Sequence, residues 1–319
     1  MTKTSFSPLH LRVTVTEPEA RLDLLVQKAL EAMNRIVSRA QLKKWFQNGQ
    51  VTYRERAISA SHSLPLGEHE ITLLLSTFTS LSASASPKGC FLPVMYEDAE
   101  ILILNKNHGT PSLPHSPEET ETAVNAALAH EPSLSGIGER PLEPGLLHRL
   151  DTETSGLLVF AKTQSEFKRL TQIWKSREID KIYRAITTSP LPFPRTPLTI
   201  TLPLAHHPKS QRKMIALPPD KTRLHRGNPI PAITRILQAT PLGAAPLTDL
   251  TIQIETGVMH QIRCHLSSLG HPIWGDLLYG PADSDAPRMA LHAWKLRFKK
   301  QNGEILEVEA PLPELWQGH

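Results

Sequence analysis

The run from Gly145 to Lys162, GLLHRLDTETSGLLVFAK, sets polar, turn-forming residues between two apolar stretches. A loop there would present Arg149 and Asp151 at the edge of a sheet. A carboxylate in such a place can do nucleophilic or acid–base work. By itself, an Arg-x-Asp in a loop is more often a surface pair or a turn cap. Glu153 is a possible second carboxylate for a hydrolase, but nothing places it opposite Asp151.

Other chemistries lack their signatures. The chain has 15 histidines, yet no His-Glu-x-x-His and no clustered Cys/His set, so no metal is expected. His206 and His207 are neighbours in a Pro-rich stretch, where adjacent side chains point apart. There is no phosphate loop and no dinucleotide fingerprint. The two cysteines, Cys90 and Cys264, make neither a disulfide framework nor a Cys-x-x-Cys, and both read as small buried hydrophobes. No apolar run approaches the roughly 20 residues a membrane span needs, and Met1–Pro8 lacks the apolar core of a secretory signal. A cytoplasmic location is the expectation.

The elements that must position the loop fall into three zones. Residues 1–75 form the first. They open with alternation over His10–Thr16, a short strand. A helix carries Leu22, Leu25, Val26, Ala29, Leu30 and Met33 on one stripe. Ser38 should cap a second helix, with Gln41 completing a capping box; Leu42, Trp45 and Phe46 form its apolar face, and Gly49 ends it. Val51 and Tyr53 then begin a strand, and Glu70–Leu75 reads as another. Ser76–Gly89, rich in Ser, Thr and Ala, reads as a linker. The third zone, 90–319, mixes strands (101–104, 156–161, 182–186, 250–254, 291–298) with a helix capped by Thr163 and Glu166. Pro-rich stretches at 187–208 and 217–231 read as surface loops. This pattern predicts an α+β fold, a mixed, mostly antiparallel sheet with flanking helices, beside a small N-terminal domain.

Charge is uneven. Residues 1–90 hold 11 Lys and Arg against 7 Asp and Glu, whereas the remainder is balanced at 24 each. An arm holding a polyanion would look like this, as would a solvated basic surface. Arg35, Arg39, Lys43 and Lys44 lie on or beside the second helix, and Arg39 and Lys43 share a face. Arg21-Leu22-Asp23, Ser38-Arg39 and Gly49-Gln50-Val51 resemble the S-four-type RNA-binding domain. Where that family usually has Asn-Gly after the next strand, this chain has Arg54-Glu55.

The run around Asp151 resembles the active-site motif of the RluA-type RNA pseudouridine synthases: His-Arg-Leu-Asp, then Thr-Ser-Gly and an apolar strand. The resemblance continues in order through Tyr96-Glu-Asp98, Ile101–Lys106, Lys181-x-Tyr183, Thr256-Gly257, His260-Gln-Ile-Arg263, His265, Gly270–Asp276, Tyr279-Gly280, Leu291-His-Ala293 and Ala310–Pro313. It implies isomerisation of uridine in RNA to pseudouridine, without cofactor or metal. The base leaves its nitrogen–carbon bond to ribose, turns and rejoins through carbon 5. Carried over residue by residue, Asp151 is the nucleophile and must be ionised, a state an adjacent guanidinium favours; Arg263 is the candidate. Tyr183 would be the platform against the flipped uracil, Arg149 would brace the vacated position, and Lys106 would be a phosphate contact or a plain solvated lysine. Ribosomal RNA is the first choice of substrate, transfer RNA the second, and a monomer is expected. Val258 stands where the family usually has Arg, Asn107 where it has Pro, and Phe298-Lys-Lys-Gln where it has Phe-x-His-Pro. Val258 is the best support for the alternative, a non-catalytic RNA-binding or assembly factor on the same fold.

Overall fold

A computed structural model describes residues 6–18, 20–33, 37, 39–76, 83–85, 91–189, 193–219, 224–243, 246–282 and 284–316. Two compact units make up the chain: residues 1–90 with 113–144, and residues 91–112 with 145–319. Residues 113–144 thus group with the first unit, whereas the sequence pattern counts them with 90–319. Most of the expected linker, with Arg35, Ser38 and Cys90, lies outside the described residues.

The first unit begins with β1 (Phe6–Val15), α1 (Leu22–Ala32), α2 (Arg39–Gln47), β2 (Val51–Tyr53), β3 (Arg56–Ala57) and β4 (Gly67–Ser76). β1 and β4 pair antiparallel along ten residues, and the sheet order is β1-β4-β2-β3. Period-two alternation buries Leu11, Val13 and Val15 from β1, and spacing of four buries Leu22, Val26 and Leu30 from α1. Met33, expected on that stripe, falls just past the helix and is exposed. α2 buries Leu42, Trp45 and Phe46 and leaves Arg39, Lys43 and Lys44 exposed. Gly49, at φ 69°, turns the chain out of α2. α3 (Ala123–His130) is not evident in the sequence; Thr122 and Asn125 cap it reciprocally, without the Glu or Gln that usually flags a box.

The second unit is built on one nine-stranded sheet. Its strands are β5 (Val94–Glu97), β6 (Ile101–Lys106), β7 (Ser155–Ala161), β8 (Asp180–Thr188), β9 (Leu198–Ile200), β13 (Thr234–Leu242), β14 (Leu247–Ile254), β15 (Leu291–Lys299) and β16 (Ile305–Glu309). The order is β5-β6-β7-β15-β8-β14-β13-β9, with β16 on β15, and all pairings but β7–β15 are antiparallel. This is the α+β architecture anticipated. β7 is buried along its whole length, as a central strand covered on both faces must be. Its first residues depend on Gly156: at φ 115°, an added Cβ would stand 2.2 Å from the Ala293 carbonyl oxygen. α4 (Gln164–Lys175) and α5 (Gln261–Ser268) belong to this unit.

Two local readings change. Thr163 does cap α4 through the Glu166 N–H, but the buried Glu166 carboxylate pairs with Arg169 through two hydrogen bonds. The Pro-rich stretches contain short strands besides loops: β9, β10 (Leu204–His206) and β12 (Arg226–Ile230). β10 and β12 join β11 (Met214–Ala216) in a separate three-stranded sheet. The one proline inside these strands, Pro229, lies in β12, an edge strand, where it is tolerated. Cys264 is buried in an apolar cluster with Leu204, Met214 and Ala232.

Candidate active site

Asp151 sits in the loop entering β7, and main-chain bonds fix that loop from beneath. Ser112 Oγ donates to the Leu150 carbonyl (2.7 Å) and accepts from the Leu150 N–H (2.9 Å). Gly109 N–H donates to the Thr152 carbonyl (2.9 Å), and Thr154 N–H closes a turn on the Asp151 carbonyl (3.0 Å). On the far side, Ser155 Oγ meets His292 Nδ1 (2.9 Å) and accepts from Arg288 (3.2 Å). The Thr-Ser-Gly string therefore has a tertiary meaning: serine for the tie to β15, glycine for the close parallel approach.

Arg263 reaches Asp151 from α5. Its Nη1 donates to Asp151 Oδ2 at 2.8 Å, while Nε and Nη2 grip Asp276 at 2.7 and 2.9 Å. Asp276 is itself held by the Leu278 and Tyr279 N–H groups (2.9 and 3.1 Å). Burial pulls the Arg263 pKa down, but hydrogen bonds and charge from Asp276, then Asp151, outweigh it and raise it overall. The guanidinium is therefore permanently charged. Tyr183 comes from β8, opposite Ile252 and Ala293. It is buried except where it faces a recess of about 80 Å³ that it shares with Asp151, Arg149, His260 and Arg263. Burial, and then the Asp151 charge, push its pKa up, so the phenol stays protonated.

The recess adjoins a cleft of about 620 Å³ whose walls include Arg149, Trp174, Lys175, Arg177 and Lys181. Arg149 is exposed and lines both. Gln261 ties down the loop that carries Val258: its Oε1 accepts from Thr256 Oγ1 (2.7 Å) and Val258 N–H (3.1 Å), and its Nε2 donates to Ile233 O and Thr234 Oγ1. A carboxylate clamped by a buried guanidinium, beside a protonated phenol, at the mouth of a cationic cleft, is equipped to act on a sugar attached to a polyanion.

Residues 100–268 match the family described as RNA pseudouridylate synthase. The chain is 30% identical over 305 residues to RNA pseudouridine synthase YlyB of Bacillus subtilis, covering 95% of each. It is also 30% identical over 313 residues to ribosomal large subunit pseudouridine synthase D of Nitrosomonas europaea, covering 95% of this chain and 85% of that one.

The chain belongs to the RNA pseudouridylate synthase family.

Among solved structures, human RNA pseudouridylate synthase domain containing 1 matches with a TM-score of 0.55 and 26% identity, over 70% of this chain and 86% of that one. As a pseudouridylate synthase the protein acts on RNA and isomerises uridine to pseudouridine. No helix among the described residues is long and apolar enough to cross a membrane.

One expected RNA contact is overturned. Lys106 is fully buried, and its ammonium donates to the carbonyls of Asn107 (3.0 Å), Thr110 (2.6 Å) and Thr152 (3.1 Å). Burial lowers its pKa to about 8, against the raising charges of Asp151 and Glu153. It fastens the Asp151 loop and presents no charge to solvent. Three residues that gather here carry no role legible in the sequence. Asp276, His260 and Tyr279 all stand in family-like blocks, but only the folded chain brings them to Asp151 and Arg263. Val258 packs against the cluster that holds Leu204, Met214 and Cys264, so the position that usually carries Arg serves apolar packing.

Proposed function

We propose that Asp151 is the nucleophile of this synthase, acting on carbon 1 of the ribose of a uridine flipped out of a structured RNA. The observation that carries this is the 2.8 Å bond from Arg263 Nη1 to Asp151 Oδ2. It engages one carboxylate oxygen, Oδ2, and leaves Oδ1 for the sugar. Tyr183 packs against the uracil, Arg149 braces the vacated stack, and Arg263 is the partner of Asp151. Carbon 5 of the base loses a proton and nitrogen 1 gains one, so the reaction needs no net co-reactant. Asp151→Asn should abolish pseudouridine formation and leave RNA affinity nearly unchanged. An Asn variant that still converts its RNA sinks the assignment.

The substrate we propose is ribosomal RNA, because relatives that align over nearly the whole chain are named for the large ribosomal subunit. A cytoplasmic, monomeric enzyme goes with that reading. Mapping pseudouridines in total RNA with and without the gene tests it, and a lost site in transfer RNA alone would overturn it. The N-terminal unit acts as an S-four-type RNA-binding arm, with Arg35, Arg39, Lys43 and Lys44 contacting phosphate. Exposure of Arg39, Lys43 and Lys44 opposite the buried face of α2 supports this. Neutralising these three should lower the slope of log affinity against log salt by roughly 0.7–0.9 per lost contact. An unchanged slope would remove the arm from RNA binding.

A further inference from the structure

His260 is the N-cap residue just before α5, at φ 55° and ψ 24°, a left-handed conformation uncommon for a residue other than glycine. Its side chain makes no capping bond to the helix, so capping does not explain it. The ring instead stands between two side chains. Nδ1 is 3.0 Å from Tyr279 Oη, and Nε2 is 3.7 Å from Asp151 Oδ2.

The proton positions follow from the partners. The Met214 N–H donates to Tyr279 Oη at 2.7 Å. That leaves the phenol's own proton for His260 Nδ1, which then accepts. The neutral imidazole that accepts this hydrogen bond is the tautomer with its hydrogen on Nε2. Burial lowers the His260 pKa, with Asp151 opposing and Arg263 adding to the fall, so the ring is neutral near pH 7. Nε2–H thus faces the recess lined by Asp151 and Tyr183. At 3.7 Å it is too far from Asp151 to be a hydrogen bond. One oxygen, however, could lie about 2.8 Å from both Nε2 and Oδ2.

Such an oxygen must accept from the imidazole and donate to the carboxylate. Near carbon 1 of a uridine, the ring oxygen and the uracil carbonyls only accept. The 2′-hydroxyl does both. We propose that His260 is a further catalytic residue, donating from Nε2 to the 2′-hydroxyl of the target uridine while that hydroxyl donates to Asp151 Oδ2. This rests on Asp151 as nucleophile. It fixes the ribose with carbon 1 beside the free Oδ1, and it makes the site read ribose over deoxyribose. Tyr279 is then a positioning residue that sets the imidazole tautomer.

The test uses the full-length enzyme and a synthetic oligoribonucleotide copying the mapped target, with uridine or 2′-deoxyuridine at the modified position. Wild type should convert the deoxy substrate roughly five- to a hundredfold more slowly, the range of one to a few hydrogen bonds. His260→Asn tolerates the left-handed backbone but shortens the donor. It should lose a similar factor on the uridine substrate, almost none on the deoxy one, and so lose the discrimination. His260→Gln, whose amide N–H reaches about as far as Nε2, should restore part of it. Equal losses on both substrates, or an Asn variant that discriminates as wild type does, overturn the proposal. Asp151→Asn runs in parallel: if it converts either substrate, the nucleophile assignment falls, whatever His260 does.

Discussion

Asp276 grips Arg263 through two parallel hydrogen bonds, at 2.7 Å from Nε and 2.9 Å from Nη2. The fork is thereby aimed, and its remaining nitrogen, Nη1, lands on Asp151. A guanidinium can bridge two carboxylates in one plane, which an ammonium cannot. Asp276→Asn offers Arg263 one acceptor oxygen in place of two and loosens the aim. A misplacement on the order of 1 Å costs about a hundredfold in rate, so single-turnover kcat should fall roughly ten- to a hundredfold, with KM little changed. Arg263→Lys should fall at least as far. A KM effect alone would show that Asp276 serves binding and not alignment.

Gly156 tests the β7–β15 contact. A methyl carbon added there would stand 2.2 Å from the Ala293 carbonyl oxygen, so Gly156→Ala must push two buried strands apart. We expect a loss of about 3 kcal/mol or more, above the usual cost of overpacking. Thermal unfolding of the purified variant reads it directly; an unchanged midpoint would mean the strands separate at little cost.

Lys106 gives a pH signature. Its folded pKa of about 8 lies below the ordinary 10.5. Between those values the unfolded chain holds more protons than the folded one, so stability rises as pH goes from about 8 to 10.5. Lys181, lowered to about 8 by burial and then by Arg177, shares the window. Lys106→Met should therefore flatten the alkaline rise without abolishing it. It also leaves three part-buried carbonyls without their donor, at a cost of roughly 1–3 kcal/mol each at most. Urea titrations at pH 7.5 and 10 measure both effects.

Arg54 and Glu55 form the turn between β2 and β3 with φ of 47° and 66°. This is a left-handed hairpin turn built from residues that disfavour it. Restoring Asn-Gly should stabilise the first unit by roughly 1 kcal/mol per position. Calorimetry of the double variant should show a higher midpoint for that unit, and a lower one would mean the arginine, whose guanidinium lies 5.2 Å from the Tyr53 ring centroid, stabilises more than its backbone costs.

Much of the molecule is legible in the string of residues because the physics is local. Alternation in β1, the four-residue spacing of Leu22, Val26 and Leu30, and the apolar run of β7 each follow from one element's periodicity. The ordered blocks around Asp151, Tyr183 and Arg263 likewise announce the family and its reaction. α3 escapes because its cap uses Asn125 in place of an acid. The strands β9, β10 and β12 escape because three to five residues among prolines are too few to show a period.

Only the tertiary structure decided what each charge does. Lys106 and Arg149 are both cations near the Asp151 loop, yet one is buried against carbonyls and the other exposed on the cleft. Asp276 and Asp151 are 125 positions apart in the chain, and one guanidinium binds both. Such roles depend on solvent access and on distances of a few ångström between strands remote in sequence, and no spacing along the chain encodes either.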